Sequence, residues 1–245
     1  MNRERQRADL FLVAHGHFES RARAQAAIRA GLVRVDGRPL ARASDTIAPG
    51  ATVEAQPDHP FVSRGGLKLA AALDAFGIDP AGRVCLDVGA STGGFTDVWL
   101  ARGAAHVHAV DVGRDQLHPR LRAEPRVTSL EGTDIRSLGA GALEPRPALA
   151  SVDVSFIALR LVLPALPPLL AAGAEVVALI KPQFEAGRER VGRGGIVRDP
   201  AVREAVCAEV RAQVEAMGGS VLGLVPSPIE GGDGNVEFLI GARLP

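Results

Sequence analysis

The sequence predicts an α/β protein, in which an open sheet of buried strands alternates with helices and a small α+β unit precedes it. Three observations predict this. From about residue 66 onward, short apolar runs such as VCLDV and VVALI alternate with longer stretches of helical spacing. Before residue 58 the runs are shorter and are broken by Asp36-Gly37 and Pro49-Gly50. The polar segment QPDHP separates the two regions, and the charge changes sign along the chain. Residues 1–42 carry nine Arg against four acids, a net of +5, and the remainder carries 19 bases against 24 acids. The expected organisation is an N-terminal unit over residues 1–58, a junction over 59–65 and a larger unit over 66–245.

The elements follow in order. Residues 5–15 have helical spacing, with Leu10, Val13 and Ala14 on the apolar side. Ser20 is placed to cap a second helix over 21–30, which Gly31 stops. LVRVDGRPL reads as a strand, a tight turn and a return strand, and a further short pair is expected around Pro49-Gly50. In the larger unit, SRGGLKLAAALDAFG reads as a helix, VCLDVG as a buried strand, and STGGFTDVWLARG as a glycine loop running into a helix. HVHAVDVG, RVTSLEG and ASVDVSF supply three more strands, the last weakened by its polar residues. VLPALPPLLAAG is a helix interrupted by prolines, EVVALIKP a strand, and residues 199–217 a long helix. SVLGLVP and NVEFLIGARL end the sheet.

With 245 residues and 47 % apolar composition, the chain can bury a substantial core. The basic N-terminal unit is a candidate for contacting something anionic. Cys85 and Cys207, far apart, make neither a disulfide framework nor a zinc site, and Cys85 reads as a core residue. The longest apolar stretch, 161–180, contains Pro164, Pro167, Pro168 and Glu175, so no membrane span is expected. No signal peptide is visible, and a cytoplasmic protein without a membrane partner is expected. His106 and His108 can share one face of a strand as packing residues, while His15, His17 and His59 read as surface or linker histidines. No metal-ligand cluster is visible, and no metal is expected.

Two features point to chemistry. Of 28 basic residues, Lys68 and Lys181 alone are lysine. A chain this rich in Arg retains Lys where a compact ammonium that can lose its proton is needed and a rigid, permanently charged fork would fail. In LDVGASTGGFTD a strand passes straight into a helix through Gly89, Gly93 and Gly94, and the next strand ends at Asp111, 22 residues after Gly89. Glycines there let a ligand approach the backbone, and an acid at that position can accept ribose hydroxyls. The loop lacks both GxGxxG and GxxxxGK[ST], so it suits a nucleoside cofactor without a pyrophosphate, namely S-adenosylmethionine.

Six segments carry a family resemblance: VSRGGLKL (62–69), LDVGASTGGFTD (86–97), AVDVGRDQL (109–117), DVSFIAL (153–159), LIKPQFE (179–185) and GNVEFL (234–239). They resemble the TlyA family of rRNA ribose methyltransferases, of the FtsJ/RrmJ-like group and also labelled hemolysin A. The resemblance implies a Rossmann-like S-adenosylmethionine-dependent methyltransferase sheet behind a small S4-like RNA-binding domain. It implies a catalytic tetrad of Lys68, Asp153, Lys181 and Glu237. It places Gly89, Ala90, Ser91, Thr92, Gly93, Gly94, Phe95, Asp111, Val112 and Glu131 at the cofactor. One departure stands out, since the family's E-x-T-N reads EGTD here, with Asp134 replacing a neutral donor by an acceptor. In such an enzyme Lys181 would act as base or orienting group for a ribose 2'-hydroxyl, and Asp153 and Glu237 would position the lysines.

The implied substrate is a cytidine of ribosomal RNA, met in a ribosomal subunit or its assembly precursor. The chain stops eight residues after Glu237, which resembles the shorter family members and favours large-subunit RNA over both subunits. Arg21, Arg23, Arg29, Arg34 and Arg38 are the expected RNA contacts, with Arg3, Arg5 and Arg7 as a basic lead and Arg64 guiding RNA toward the site. Rival readings are a methyltransferase for a small molecule or protein, a pore-forming hemolysin, and an RNA-binding protein without methyl transfer.

Overall fold

A computed structural model describes residues 5–245 in two units, one ending at Pro60 and one spanning Phe61–Pro245. Arg3 lies outside the described residues. Most of the expected junction packs as part of the second unit, where the Val62 N–H donates to Asp97 Oδ2 at 2.9 Å.

The first unit runs β1 (Gln6–Arg7), α1 (Ala8–Ala14), α2 (Arg21–Arg29), β2 (Val33–Val35), β3 (Arg38–Pro39), β4 (Thr46–Ile47) and β5 (Val53–Ala55). Ser20 caps α2 by accepting the Arg23 N–H at 3.3 Å. The β2–β3 hairpin turns at Asp36 and Gly37, with φ of 50° and 75°, the left-handed pair such a turn requires. The pair expected around Pro49-Gly50 does not form. Instead β4 pairs with β1 and β5 with β2, both antiparallel. That arrangement buries Ile47 fully in one core with Leu12, Ile28 and Val33.

The same core holds a charge. Asp9 is fully buried, and its carboxylate accepts from Arg7 (3.1 and 3.2 Å), Arg21 (2.9 and 3.3 Å) and Gln25 (2.8 Å). Two of the expected RNA contacts, Arg7 and Arg21, are therefore committed to this carboxylate. Arg23 donates to the carbonyl of His59 at 3.1 Å, and His59 is buried rather than the surface histidine expected. Arg5 grips Thr46, and Arg34 donates to the Gly37 carbonyl. Arg29, Arg34 and Arg38 are exposed.

The second unit begins with α3 (Gly65–Phe76), followed by β6 (Val84–Val88), α4 (Gly94–Ala101), β7 (His106–Asp111), α5 (Pro119–Arg122), β8 (Val127–Glu131) and β9 (Leu149–Val152). After α6 (Leu159–Val162) the proline-rich segment makes two 3-10 turns rather than a continuous helix, because Pro164, Pro167 and Pro168 remove backbone donors. Then come β10 (Glu175–Ile180), α7 (Pro182–Glu185), α8 (Pro200–Ala216), β11 (Ser220–Pro226) and β12 (Phe238–Arg243). The seven strands form one sheet in the order β11-β12-β10-β9-β6-β7-β8, parallel except for β12.

Residue parity divides the core between the two faces. Leu86, Val88, Val152, Val176 and Ala178 face one way, under α8 and the proline-rich turns. Cys85, Val107, Leu149, Val177 and Leu179 face the other, under α3 and α4. His106 and His108 also share a face, with ring centroids 4.7 Å apart, and His108 is buried with Nε2 2.9 Å from the Pro145 carbonyl. Among the described residues, no helix is long and apolar enough to cross a membrane.

Arg7 beside Asp9 holds that carboxyl well below the usual range, against the opposing effect of burial. A depressed folded pKa contributes stability above the unfolded value near 3.8, and that stability is lost as pH falls through it. Asp9→Asn should therefore destabilise the first unit by about 2 kcal/mol at pH 7. The difference from the unchanged protein should shrink between about pH 5 and pH 2. Denaturant melts across that range measure both.

Candidate active site

Strand order reverses around β6. The chain proceeds from β6 to β7 and β8 on one side, then returns to β9 on the other. The crevice at such a switch point, outside the carboxyl ends of the strands, is where open α/β sheets bind ligands. Here those ends are Gly89 after β6 and Asp153 after β9. Their backbones touch so closely that a Cβ on Gly89 would lie 2.4 Å from the Asp153 carbonyl oxygen. With φ of +82° as well, the position excludes any side chain.

Three members of the expected tetrad come to this edge by topology. Asp153 follows β9 and Lys181 follows β10, its parallel neighbour. Glu237 immediately precedes β12, whose antiparallel pairing sets Phe238 opposite Ile180. Lys68 arrives from α3. The four groups form two ion pairs. Lys68 Nζ lies 2.5 Å from Glu237 Oε2, with side chains 10 % and 3 % exposed. Lys181 Nζ lies 2.6 Å from Asp153 Oδ1 and donates to Ser155 Oγ at 2.9 Å. Each ammonium is largely withdrawn from water beside a carboxylate, and that pairing is what makes its burial tolerable.

Next to Asp153 opens a cavity of about 670 Å³, walled by Gly89, Ser91, Asp111, Val112, Ile135 and the 153–157 segment, among others. A smaller one of about 130 Å³, lined by Ala90, Thr92, Gly94 and Phe95, also reaches Gly89, Ser91 and Asp153. Asp111 ends β7 and accepts the Ser91 N–H at 2.8 Å and the Gly113 N–H at 2.7 Å, which ties the glycine loop to the neighbouring strand. Gly93, at φ +94°, starts α4 with Leu117 and Leu121 against it rather than lining either cavity. Glu131, also expected at the cofactor, lines neither. Its carboxylate accepts the Gln116 and Leu117 N–H groups at 2.7 and 3.0 Å and pairs with Arg122, so it shapes the loop that carries Gln116. Arg64 is exposed at the start of α3.

The Asp134 departure has a local answer. Arg136 forks onto its carboxylate at 2.6 to 3.1 Å, and its N–H bonds the same group, so the added charge is neutralised two residues away. Sequence reasoning did not single out Ser155, Phe156, Gln116 or Arg136, although all four line the large cavity. Ser155 and Phe156 lie inside the DVSFI motif, so that signal was present.

Beneath the site sits a carboxyl group that lines neither of these cavities. Asp87 is fully buried, accepting Thr96 Oγ1–H at 2.7 Å and Ser151 Oγ–H at 3.0 Å, while Trp99 Nε1–H donates to Ser151 Oγ at 2.9 Å. This network ties β6, β9 and α4 together two residues below Gly89 and Asp153. Burial pushes the Asp87 carboxyl up to about 7. A raised folded pKa means stability that is complete below the unfolded value near 3.8 and is lost as pH rises through about 7. Asp87→Asn should remove that loss. Its melting temperature relative to the unchanged protein should rise between pH 5 and pH 8, read by scanning calorimetry.

Comparison with known proteins assigns both units. The FtsJ-like methyltransferase family matches residues 61–244, and the S4 domain matches residues 6–53. The chain is 46 % identical over 243 residues to the Mycobacterium tuberculosis 16S/23S rRNA (cytidine-2'-O)-methyltransferase TlyA, covering 98 % of this chain and 90 % of that one. It is 37 % identical over 180 residues to the Campylobacter jejuni 23S rRNA (cytidine-2'-O)-methyltransferase TlyA, covering 73 % and 69 %. A solved structure provisionally labelled a hemolysin, from Streptococcus thermophilus, superposes with a TM-score of 0.77 at 43 % identity, covering 99 % of this chain and 89 % of that one. This chain belongs to the TlyA family, an S4 domain joined to an FtsJ-like methyltransferase domain.

Proposed function

We propose that this protein methylates the 2'-oxygen of a cytidine ribose in ribosomal RNA, with S-adenosylmethionine as donor. The observation that carries the proposal is the pair of lysine–carboxylate contacts at the sheet edge, with Asp153 also lining the large cavity. The named activities of the Mycobacterium and Campylobacter relatives agree with it. Large-subunit RNA is the substrate common to both names, and it is the one we assign.

The cavity suits the cofactor. Its volume falls within the range of small-molecule sites, Val88, Val110, Val112 and Ile135 give it an apolar wall, and Asp111 stands at its rim with a carboxylate. Gly89, Ser91 and Asp111 would hold the nucleoside end. When bound, the cofactor supplies a methyl group already activated by a positive sulfur, so the chain's own task is to prepare the oxygen.

Lys181 serves that task. Its ammonium, held between Asp153 Oδ1 and Ser155 Oγ, can donate a hydrogen bond that points the 2'-hydroxyl lone pair at the methyl group. To take up the hydroxyl proton, Lys181 Nζ must first release one of its own, and Asp153 is the adjacent acceptor. Steering therefore precedes proton uptake. Lys68 and Glu237 neutralise each other in the second ion pair. In the S4 domain the exposed Arg29, Arg34 and Arg38 are the RNA contacts that remain, among the described residues, after Arg7 and Arg21 are assigned to Asp9, Arg5 to Thr46 and Arg23 to the His59 carbonyl.

Lys181→Ala should lower methyl transfer by at least about 10²-fold while cofactor affinity holds within twofold. Lys181→Arg should be nearly as impaired, because a guanidinium neither gives up its proton near neutral pH nor fits between Asp153 and Ser155. Labelled cofactor, ribosomal subunits of both sizes and nucleotide mapping form the assay. Label on a base atom, or full turnover by the Arg variant, would overturn the reading. Label confined to small-subunit RNA would overturn the choice of substrate.

A further inference from the structure

The large cavity is not isolated. A second one, of about 640 Å³, opens on the other side of the segment that follows Asp153 and shares Phe156, Ile157 and Leu161 with it. Its remaining walls come from Ala158 and Arg160, from α7 and from the loop after it, which reads AGRERVGRGGIVR over residues 186–198. Three features of this second cavity have no role in the chemistry described above.

The first is aromatic. Phe156 is 91 % exposed and sits at φ +63°, a costly conformation for a phenylalanine. Its ring lies 5.1 Å from that of Phe184, three residues beyond Lys181, at an interplanar angle of 51°. The two phenyl rings thus pack against each other and together line the cavity. The second feature is charge. Arg160 and Arg188 both line the cavity and are exposed, and neither forms an ion pair among the described residues. Arg190, on the same loop, differs, because it donates to the Ala186 carbonyl at 2.6 Å and lies 3.9 Å from Glu209. The third is anchorage. Asn235, two residues before Glu237 and itself buried, accepts the Val197 N–H at 3.0 Å and donates to the Gly195 carbonyl at 2.9 Å. Glu185 accepts the Leu159 N–H at 2.7 Å and so binds α7 to the start of α6. The walls of the cavity are therefore tied to the same motifs that carry Asp153, Lys181 and Glu237.

A ribose presented to Lys181 belongs to a polymer, and its neighbour in the chain must pass somewhere close by. A concave cavity lined by aromatic rings and by two guanidinium groups that form no ion pair among the described residues has the chemistry of a single nucleotide, with a π-face for the base and cations for the phosphate. We propose that the second cavity holds the nucleotide adjacent to the methylated one in the RNA strand, with its base against Phe184 and its phosphate on Arg160 and Arg188. The proposal rests on the RNA reading given above and adds a second RNA contact, within the methyltransferase domain itself. It also accounts for the exposure of Phe156 at the partition between the two cavities.

The test uses the full-length protein and an RNA stem-loop that the unchanged protein methylates. Phe184→Ala and Arg188→Ala are compared with it for RNA affinity at several salt concentrations, for cofactor affinity by calorimetry, and for thermal stability. Phe184→Ala should weaken RNA binding about tenfold. Its loss should be the same at every salt concentration, and cofactor affinity should hold within twofold. Arg188→Ala, a surface change that leaves folding intact, should instead reduce the slope of log affinity against log salt by about 0.7. RNA lacking the base on one side of the target should bind the unchanged protein as weakly as intact RNA binds the Phe184→Ala protein. Phe184→Ala should then cost nothing further on that RNA. If neither flanking base matters and neither variant changes RNA affinity, the proposal fails although methylation persists. If the unchanged protein methylates no RNA at all, the proposed function itself has failed. Binding of vesicles containing anionic lipid that both variants abolish would replace RNA with a membrane surface and overturn the inference.

Discussion

Lys68 and Glu237 are 169 positions apart in the chain and 2.5 Å apart in the fold. Neither charge could be buried alone without a penalty of several kcal/mol, so each fixes the other's position. The consequence is topological. The pair locks the first helix of the methyltransferase domain to the start of its last strand, and that strand runs antiparallel against β10. The antiparallel direction matters, because it brings the beginning of β12, rather than its end, to the edge where the parallel strands finish. A parallel last strand would put Glu237 at the opposite edge of the sheet. The ion pair and the reversed strand are two parts of one arrangement that gathers distant residues at one edge.

Against this, the glycine loop is a local device with a non-local cause. Gly89 is required because β9 ends in Asp153 directly beside it, and the two backbones leave no space for a Cβ. The buried Asp87–Ser151 contact, one turn of the pleat below, sets how closely the two strand ends approach. Thr96 and Trp99 extend that control into α4, so the floor of the site is held by hydroxyl and indole groups rather than by charge.

Much of this was legible in the sequence because it is written in local pattern. Strand parity, the glycine loop, the Ser20 cap and the two lone lysines all sit in short windows that can be read without the fold. What was not legible depends on partners distant in sequence. Arg7 and Arg21 look alike as basic surface residues until Asp9 is seen buried between them. The strand pair expected around Pro49-Gly50 failed because each of its members found a better partner elsewhere, β1 for one and β2 for the other. Glu131 stands at the end of β8, as an acid near a cofactor would, yet two backbone N–H groups and Arg122 already claim its oxygens. In each case a residue type was read correctly, and its contact was decided by burial or by a segment farther along the chain.

The contrast between the two kinds of cation explains why this Arg-rich chain keeps lysine at the sheet edge. Arginine can pair with a carboxylate as a fork, and some arginines here do: Arg136 bonds both oxygens of Asp134, and Arg7 both oxygens of Asp9. A fork of that kind fixes a geometry and leaves little freedom for a third partner. Lys181 touches Asp153 Oδ1 and Ser155 Oγ through a single ammonium, whose three donors turn about one bond. That freedom is what a group needs if it must hold a hydroxyl, shift its hydrogen bonds as a methyl group arrives and dispose of a proton. On the proposed reading a fork at the same place would keep the carboxylate and lose the substrate, so the rarity of lysine in the sequence and the compact ammonium at the sheet edge express one physical requirement.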